Sequence, residues 1–508
     1  MIASFPTQQA LNRRYLADGL VSVPHGPAEE FPERIIQFGE GNFLRGFTDW
    51  MVDHMNGKGL FQGRVAVVQP VQRGLADLLN AQDGIYTLLL RGIRDGERSE
   101  DRRVITALSR CLDPYQNWQG VVAAAIQPGL RFAISNTTEA GIAYLSEPYD
   151  GANCPASFPA KVTALLLERF RALGGTPESG LVFLPCELIE KNGTKLREYV
   201  LRHAAAWNAG DDFITWIQSA NHFLNTLVDR IVPGFPGEDA ARLQMELGYE
   251  DKLMVAAEIF HLWVIEGPAY LAEEIPFHKT GLNVIWTDDM TPFRSRKVRV
   301  LNGAHTSTVP AAFLAGCDTV GEMMDDPDFG PTVRRAVFDE ILPVLDMDEA
   351  DKQGYAASVL ERFRNPFIRH ELISIMLNSV SKWKVRVLPS LLDSLSQTGS
   401  LPPLLTFSLA ALIRFYDGKP VSETELRGDR DGTAYPIRDD AKVLGFLAGE
   451  WAAFHEHQDV GRLVHAVLSN KTLWGKDLAT VDGLEQAVTA SLEKIIAGGA
   501  RNAISSIP

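Results

Sequence analysis

Cysteine is scarce in this chain. There are four in 508 residues, Cys111, Cys154, Cys186 and Cys317, and no two are spaced as C-x-x-C. That excludes a disulfide framework, gives no zinc or thiol-redox signature, and suits a reducing compartment. Long apolar runs are missing too: no window approaches 18 uninterrupted apolar residues, and the opening "MIASFPTQQALNRRYLADG" lacks the apolar stretch of a secretory signal. A cytoplasmic location is expected. Positive charge is in deficit, with 49 Lys and Arg against 64 Asp and Glu and a net charge of −15. Neither nucleic acid nor an anionic membrane is expected as a partner, and an anionic small substrate would need local cations. Clustered metal ligands are absent as well. No H-E-x-x-H occurs, and the "HEH" at His455–His457 sets its histidines two residues apart, on different faces of a helix, so no metal is expected.

What remains is ordinary globular material, 45% hydrophobic and 22% charged, in a chain too long for one core; two or three domains are expected. The first half alternates short apolar runs with amphipathic segments. "RIIQF" (34–38), "RVAVVQP" (64–70), "IYTLLLRGI" (85–93), "RFAISNTTEAG" (131–141, running into a polar turn) and "GLVFLPCE" (180–187) read as strands. Phe43, Phe47, Trp50, Met51 and Met55 mark a helix over 42–56, and 73–82, 115–127 and 159–175 also read as helices. This alternation predicts an α/β fold, a Rossmann-like doubly wound parallel sheet covered on both faces. From about Lys297 onward apolar residues recur at helical spacing with few β-branched runs, so the C-terminal part is expected to be mainly α-helical. The texture changes near 290–296, and domains of 1–293 and 294–508 are expected.

Three stretches carry possible chemistry. In "RIIQFGEGNFLRGF" the order is strand, Gly39-x-Gly41, then helix, the order in which a tight turn brings backbone to a pyrophosphate at a helix N-terminus. The third glycine of G-x-G-x-x-G is replaced by Leu44, which bears on helix–strand packing more than on phosphate contact. Arg45 adds a charge within reach of a phosphate. Where an acidic residue is expected at the end of the second strand to hold the adenosine ribose in NAD enzymes, this chain has Gln69, which can bond a ribose hydroxyl but does not repel a 2′-phosphate, so NADP stays open beside NAD. The second stretch, "ISNTTEAG", sets Asn136, Thr137, Thr138 and Glu139 at the C-terminal edge of a strand, where ligands bind in open α/β sheets, with a polar turn capping the next helix as the alternative. The third, "RKVRVLNGAHTSTVP", clusters Lys297, Asn302 and His305. On an α-helix Asn302 would lie about 140° and His305 about 80° around from Lys297. A lysine can act as general base, an asparagine can donate to an oxyanion and a histidine can orient a hydroxyl. A solvated lysine, a capping asparagine and a buried histidine are the alternative. No tyrosine is followed four residues later by lysine, which removes the Tyr/Lys pair of short-chain dehydrogenases.

Together, "QFGEGNFLRGF", "SNTTEAG", "VDRIVP", "KVRVLNGAHT" and "NPFIRHELISIMLNSVSKWKVRVLPSLL" resemble the polyol-specific long-chain dehydrogenases, the mannitol dehydrogenase family, over nearly the whole chain. The nearest resemblance is to members that reduce keto sugar acids. It implies an NAD-dependent, metal-independent oxidoreductase, with NAD bound by residues 1–293 and a small sugar-acid substrate bound by 294–508. It further implies Lys297 as general acid/base, and Asn302 with Asn192 of "IEKNG" as the oxyanion-stabilising pair. His305 and Asp229 would contact substrate hydroxyls, and Lys382 would also reach the substrate. The cofactor set would be Phe38, Gly39, Gly41, Asn42, Phe43, Arg45, Gln69, Asn136, Thr138 and Glu139. Two departures stand out: polyol enzymes carry a glutamate where this chain has Arg294, and an arginine where it has Ser374. A sugar acid needs a carboxylate partner, expected from Lys382, Lys384, Arg386, Arg364 and Arg369. Polyol or polyol-phosphate specificity, and a catalytically silent NAD-binding regulator, are the alternatives; the intact Lys297–Asn302–His305 set argues against the regulator. A monomer or small homo-oligomer is expected.

Overall fold

Six short strands build the central sheet of the first half. Beside a two-residue pair, Gln9–Ala10 with Tyr249–Glu250, the strands of this half in chain order are β1 (Glu33–Phe38), β2 (Arg64–Val68), β3 (Tyr86–Arg94), β4 (Glu97–Ile105), β5 (Leu108–Leu112), β6 (Phe132–Ser135), β7 (Val182–Pro185), β8 (His222–Phe223), β9 (Asn225–Asp229), β10 (Val255–Glu258), β11 (Leu262–Glu266) and β12 (Val284–Thr287). The computed structural model describes residues 9–17, 31–94, 96–137 and 140–507. The chain divides into two compact units, Met1–Met290 and Thr291–Pro508.

In the first unit the six strands run in the order β5-β2-β1-β6-β7-β8, and every neighbouring pair is parallel. This is the Rossmann order, which reverses direction between β1 and β6. Alternate residues explain why the strands are apolar throughout. Ile35, Val65, Val67 and Ile134 enter one core with Phe47, Trp50 and Met51, while Ile36, Phe38, Val68 and Ala133 enter another with Trp118, Val162 and Leu165. Both faces are covered, so both sets of side chains are mainly apolar, and the buried Gln37 and Ser135 are hydrogen-bonded.

In the first unit sequence and structure part company at the following places. The apolar run at 85–93 is a strand, but it leaves the parallel sheet: β3 pairs antiparallel with β4 and parallel with β10 in a separate sheet. The strand that completes the parallel sheet is β5, whose "LSRCL" is too short and polar to announce itself. The expected helix over 42–56 is broken into α1 (Asn42–Arg45) and α2 (Thr48–Gly57), with Gly46 between them. Gly46 sits where a Cβ would lie 2.9 Å from Val232 Cγ1, so the break is a close-packing point.

The second unit is largely helical and encloses its own core. The helix Pro403–Phe415 is buried on nearly every side and lies against Leu484–Ser505. Trp383 is fully buried, donates from Nε1 to Ser408 Oγ at 2.9 Å and meets Trp474 edge-on. It also holds a small antiparallel meander that the mainly helical expectation omits: β13 (Gly418–Ser422), β14 (Glu425–Arg430) and β15 (Thr433–Ile437). Their inward residues are few, with Leu426, Tyr435 and Ile437 buried between charged neighbours, so the period-two signal is diluted. Among the described residues no helix is long and apolar enough to cross a membrane.

Candidate active site

The glycine turn lies at the point where strand order reverses. Gly39 takes φ +128°, outside the range L side chains favour, and a Cβ there would come within 3.0 Å of both the Asn136 carbonyl and Leu44 Cδ1. Its N–H donates to the Val68 carbonyl at 3.0 Å, and Asn136 N donates to the Phe38 carbonyl at 3.1 Å, so the turn is stitched to both neighbouring strand ends. Leu44, in the place of the third glycine, is buried against Gly39 and closes the packing from the helix side. Gly41 differs. It is exposed, has φ −66°, and a Cβ on it would meet nothing within 4 Å. It opens helix α1 with no side-chain cap, so backbone N–H groups there are left for a ligand. Open space before an uncapped helix start fits a dinucleotide's pyrophosphate.

Several expected cofactor residues face elsewhere. Arg45 is 3% exposed and turned inward: Nε donates to the Glu40 carbonyl at 3.1 Å, Nη2 to Asn42 Oδ1 at 2.8 Å, and Nη1 to the Leu253 carbonyl. It lies over the Tyr86 ring, and burial lowers its pKa. Arg45 therefore braces the turn from behind and does not face the phosphate side. Asn42 is exposed as a residue, but its Oδ1 is taken by Arg45. Phe43 stacks on Phe47, and Phe38 is buried against Phe158. Gln69 is 3% exposed and spends its amide on the following loop, donating to the Val71 carbonyl at 2.8 Å and accepting from Ala76 N at 3.1 Å. Thr138 and Glu139 lie outside the described residues.

One residue unmarked in sequence holds the neighbouring strand end. Glu187, 2% exposed, accepts from Thr137 N at 2.9 Å and Thr137 Oγ1 at 3.0 Å with one oxygen, and from Ser135 Oγ at 3.0 Å with the other. Burial raises its pKa against the pull of those donors. Asn192 is fully buried and saturated. Its Nδ2 donates to the carbonyls of Pro185, Glu187 and Thr226, and its Oδ1 accepts from Gly193 N and Thr226 N. The amide that the resemblance assigns to an oxyanion is committed to tying β7 to β9. Asp229 ends β9 and is 5% exposed. Beside it Arg230 donates to the Glu258 and Gly46 carbonyls and lies over Trp50, with burial lowering its pKa to about 9.

In the second unit the chain from Thr291 is helical, though not uniformly so. Helix α3 (Thr291–Arg296) passes into a π-helical turn over Lys297–Asn302, then into α4 (Gly303–Leu314). A π turn closes i→i+5 hydrogen bonds, so each residue advances less than the 100° of an α-helix. Lys297 and Asn302, five apart, therefore fall closer to one face than α-helical spacing gives. Such π segments occur frequently at functional sites. Pro310 within α4 removes the N–H that would bond the Thr306 carbonyl, loosening the next turn.

His305 occupies the first turn of α4 and is 8% exposed. It stacks on Phe363 with centroids 4.0 Å apart and planes 13° apart, and meets His370 edge-on at 5.2 Å. Its Nε2 has no hydrogen-bond partner among the described residues. Burial holds its pKa well below the usual range, reinforced by His370 and by the charges of Arg362, Arg386 and Lys382. His305 is thus a neutral imidazole in a cationic neighbourhood. On helix α5 (Ser379–Arg386) Lys382 and Arg386 are one turn apart; burial lowers the pKa of both, and Arg386 adds to the lowering at Lys382. Arg386 Nη1 donates to Thr306 Oγ1 at 3.3 Å, and Lys382 Nζ to the Ile375 carbonyl at 2.9 Å. Lys384 lies elsewhere, its Nζ 3.0 Å from where a Cβ on Gly475 would sit. Arg364 and Arg369 are exposed, and Arg369 pairs with Glu371. Of the expected cations, Lys382 and Arg386 act on His305 together with Arg362, and Phe363 and His370 pack against its ring. These contacts join residues 57 or more positions from His305, and no local periodicity announces them. Among the described residues no group of three or more His, Cys, Asp or Glu is placed to hold a metal ion.

A Rossmann sheet carrying a glycine turn at its reversal point, in a chain with a separate helical unit, recurs in known proteins. Residues 33–279 match the mannitol dehydrogenase Rossmann domain, and residues 289–496 match the mannitol dehydrogenase C-terminal domain. The chain belongs to the mannitol dehydrogenase family. Within it, the chain is 45% identical over 484 residues to the altronate oxidoreductase of Klebsiella pneumoniae strain 342, covering 95% of this chain and 98% of that one. It is likewise 45% identical over 482 residues to the altronate oxidoreductase of Halalkalibacterium halodurans, 94% of each chain. Among solved structures, a D-sorbitol dehydrogenase in substrate-free form matches with a TM-score of 0.79 at 22% identity, covering 98% of this chain and all of that one. The Pseudomonas fluorescens mannitol 2-dehydrogenase, solved as a ternary complex with NAD and D-mannitol, matches with a TM-score of 0.69 at 23% identity, covering 98% and 99%. These two likenesses establish the fold.

Proposed function

We propose that this chain is an NAD-dependent altronate oxidoreductase, reducing the keto group of tagaturonate to altronate in galacturonate catabolism. The observation that carries the proposal is 45% identity to altronate oxidoreductases over some 95% of the chain. The site geometry supports it at two points. Gly41 leaves open space before an uncapped helix start, which suits a pyrophosphate, and the second unit gathers Lys382 and Arg386 where a substrate carboxylate needs cations.

The first unit is proposed to hold the dinucleotide, which when bound supplies the hydride. The remaining work falls to side chains of the second unit. The Lys297 ammonium gives its proton to the carbonyl oxygen as that oxygen gains charge, and solvent restores it. Asn302, brought toward the face of Lys297 by the π turn, donates a hydrogen bond to the same oxygen. His305, neutral and with a free Nε2, orients a substrate hydroxyl. Asn192 is left out of the oxyanion pair because every bond its amide can make is already used. Lys297→Ala is expected to reduce turnover by at least about 10³-fold while leaving NADH binding measurable; turnover within tenfold of the parent would remove Lys297 from the acid/base role.

A further inference from the structure

The adenosine ribose of a dinucleotide lies at the end of the second strand of a Rossmann sheet, where an acidic side chain normally takes its hydroxyls. Here that position is Gln69, and its amide is bound to the loop that follows. A carboxylate nevertheless sits at this place, arriving from the glycine turn. Glu40, between Gly39 and Gly41, is 6% exposed. Its Oε1 accepts from Leu75 N at 3.3 Å, and its Oε2 has no hydrogen-bond partner among the described residues. A Cβ on Gly74 would lie 2.3 Å from Glu40 Oε1 and 2.5 Å from Gln69 Oε1, so both side chains converge under one glycine of the loop. The backbone of Glu40 is fixed by Arg45, whose Nε donates to its carbonyl. A buried carboxylate oxygen without a donor is costly and calls for one.

We propose that Glu40, and not Gln69, is the residue that takes the adenosine ribose hydroxyls and turns away a 2′-phosphate, setting the preference for NAD over NADP. The inference rests on the dinucleotide-binding reading above. One Glu40 oxygen anchors the loop through Leu75; the other receives a ribose hydroxyl once the exposed residues Val71–Gly74 give way. A dianionic 2′-phosphate brought to the same place would face the carboxylate, and the buried cation behind the turn, Arg45, is committed to backbone carbonyls and Asn42.

The test is calorimetric and independent of turnover: the full-length protein is titrated with ADP-ribose and with 2′-phospho-ADP-ribose. The parent should bind ADP-ribose at least about tenfold more tightly. Glu40→Gln keeps an acceptor for Leu75 N and loses the charge. It should weaken ADP-ribose about tenfold and bring the two ligands within about threefold of each other. Equal weakening of both ligands, or no change in either, would make Glu40 a loop anchor only and overturn the proposal. Glu40→Asp supplies the same answer should the glutamine variant not fold: it keeps the charge and should keep the preference, and loss of that preference would also overturn it. If the parent binds neither ligand, the dinucleotide reading itself fails; if the parent binds ADP-ribose and Glu40→Gln keeps the parent's discrimination, or the parent shows none, only this inference fails.

Discussion

Arg45 shows how a side chain's surroundings decide its work. A cation four residues past a phosphate turn invites a ligand role, but this one makes bonds to two backbone carbonyls and Asn42 in a site with 3% exposure. Arg45→Met should therefore lower the unfolding free energy by about 2–4 kcal/mol in urea titrations, since it orphans buried acceptors; unchanged stability would place the guanidinium outside the fold's support. His261 makes a second prediction at this scale. Burial, with Arg230 nearby, lowers its pKa from 6.5 to about 4. Unfolded, it takes a proton near 6.5, and folded it resists until about 4, so the unfolded state binds more protons across that window. Stability should fall as pH drops through it. His54, His203, His222, His305 and His370 are shifted in the same direction. His261→Gln should shrink the difference in unfolding free energy between pH 7 and pH 5 by on the order of 1–2 kcal/mol, measured by urea titration at both values. A full-sized difference in the variant would contradict the shift.

At the scale of the element, the two glycines of the turn separate folding from binding. Gly39 has a positive φ and crowded surroundings, so Gly39→Ala should cost about 1–3 kcal/mol of stability. Gly41 has an ordinary φ and open space, so Gly41→Ala should change stability by no more than about 0.5 kcal/mol. The added methyl would nevertheless occupy the space proposed for pyrophosphate and weaken ADP-ribose several-fold. Thermal melts and calorimetry on both variants check this, and the reverse pattern would dismantle the account of the turn. The sequence announced these elements unevenly. Strands β1, β2, β6 and β7 were legible because both their faces are buried, which makes them mainly apolar. Strand β5 was not, because only Leu108 and Cys111 are buried beside Ser109 and Arg110, nor was the β13–β15 meander, which buries a few side chains among charged ones. The π turn was invisible for another reason: α and π turns use the same residues, and only the hydrogen bonds distinguish them. Lys297, Asn302 and His305 were found as a cluster, while Arg362, Phe363 and His370 reach His305 through packing that local spacing does not encode.

For the whole molecule the question is how a chain of net charge −15 would accept an anion. Distant charges are screened over about 8 Å at physiological ionic strength, so the local set decides. Around His305 that set is positive: Arg362, Arg386 and Lys382 all press its pKa downward. The cationic neighbourhood belongs to a helical unit with its own core, and the glycine turn to a sheet with another. The central claim is that this chemistry serves a keto sugar acid. The most direct test is NADH consumption by the purified protein against tagaturonate, fructuronate, fructose and fructose 6-phosphate side by side. The account predicts the highest kcat/KM with tagaturonate and at least about 10²-fold less with neutral fructose, which lacks the carboxylate; a preference for fructose or its phosphate would contradict it.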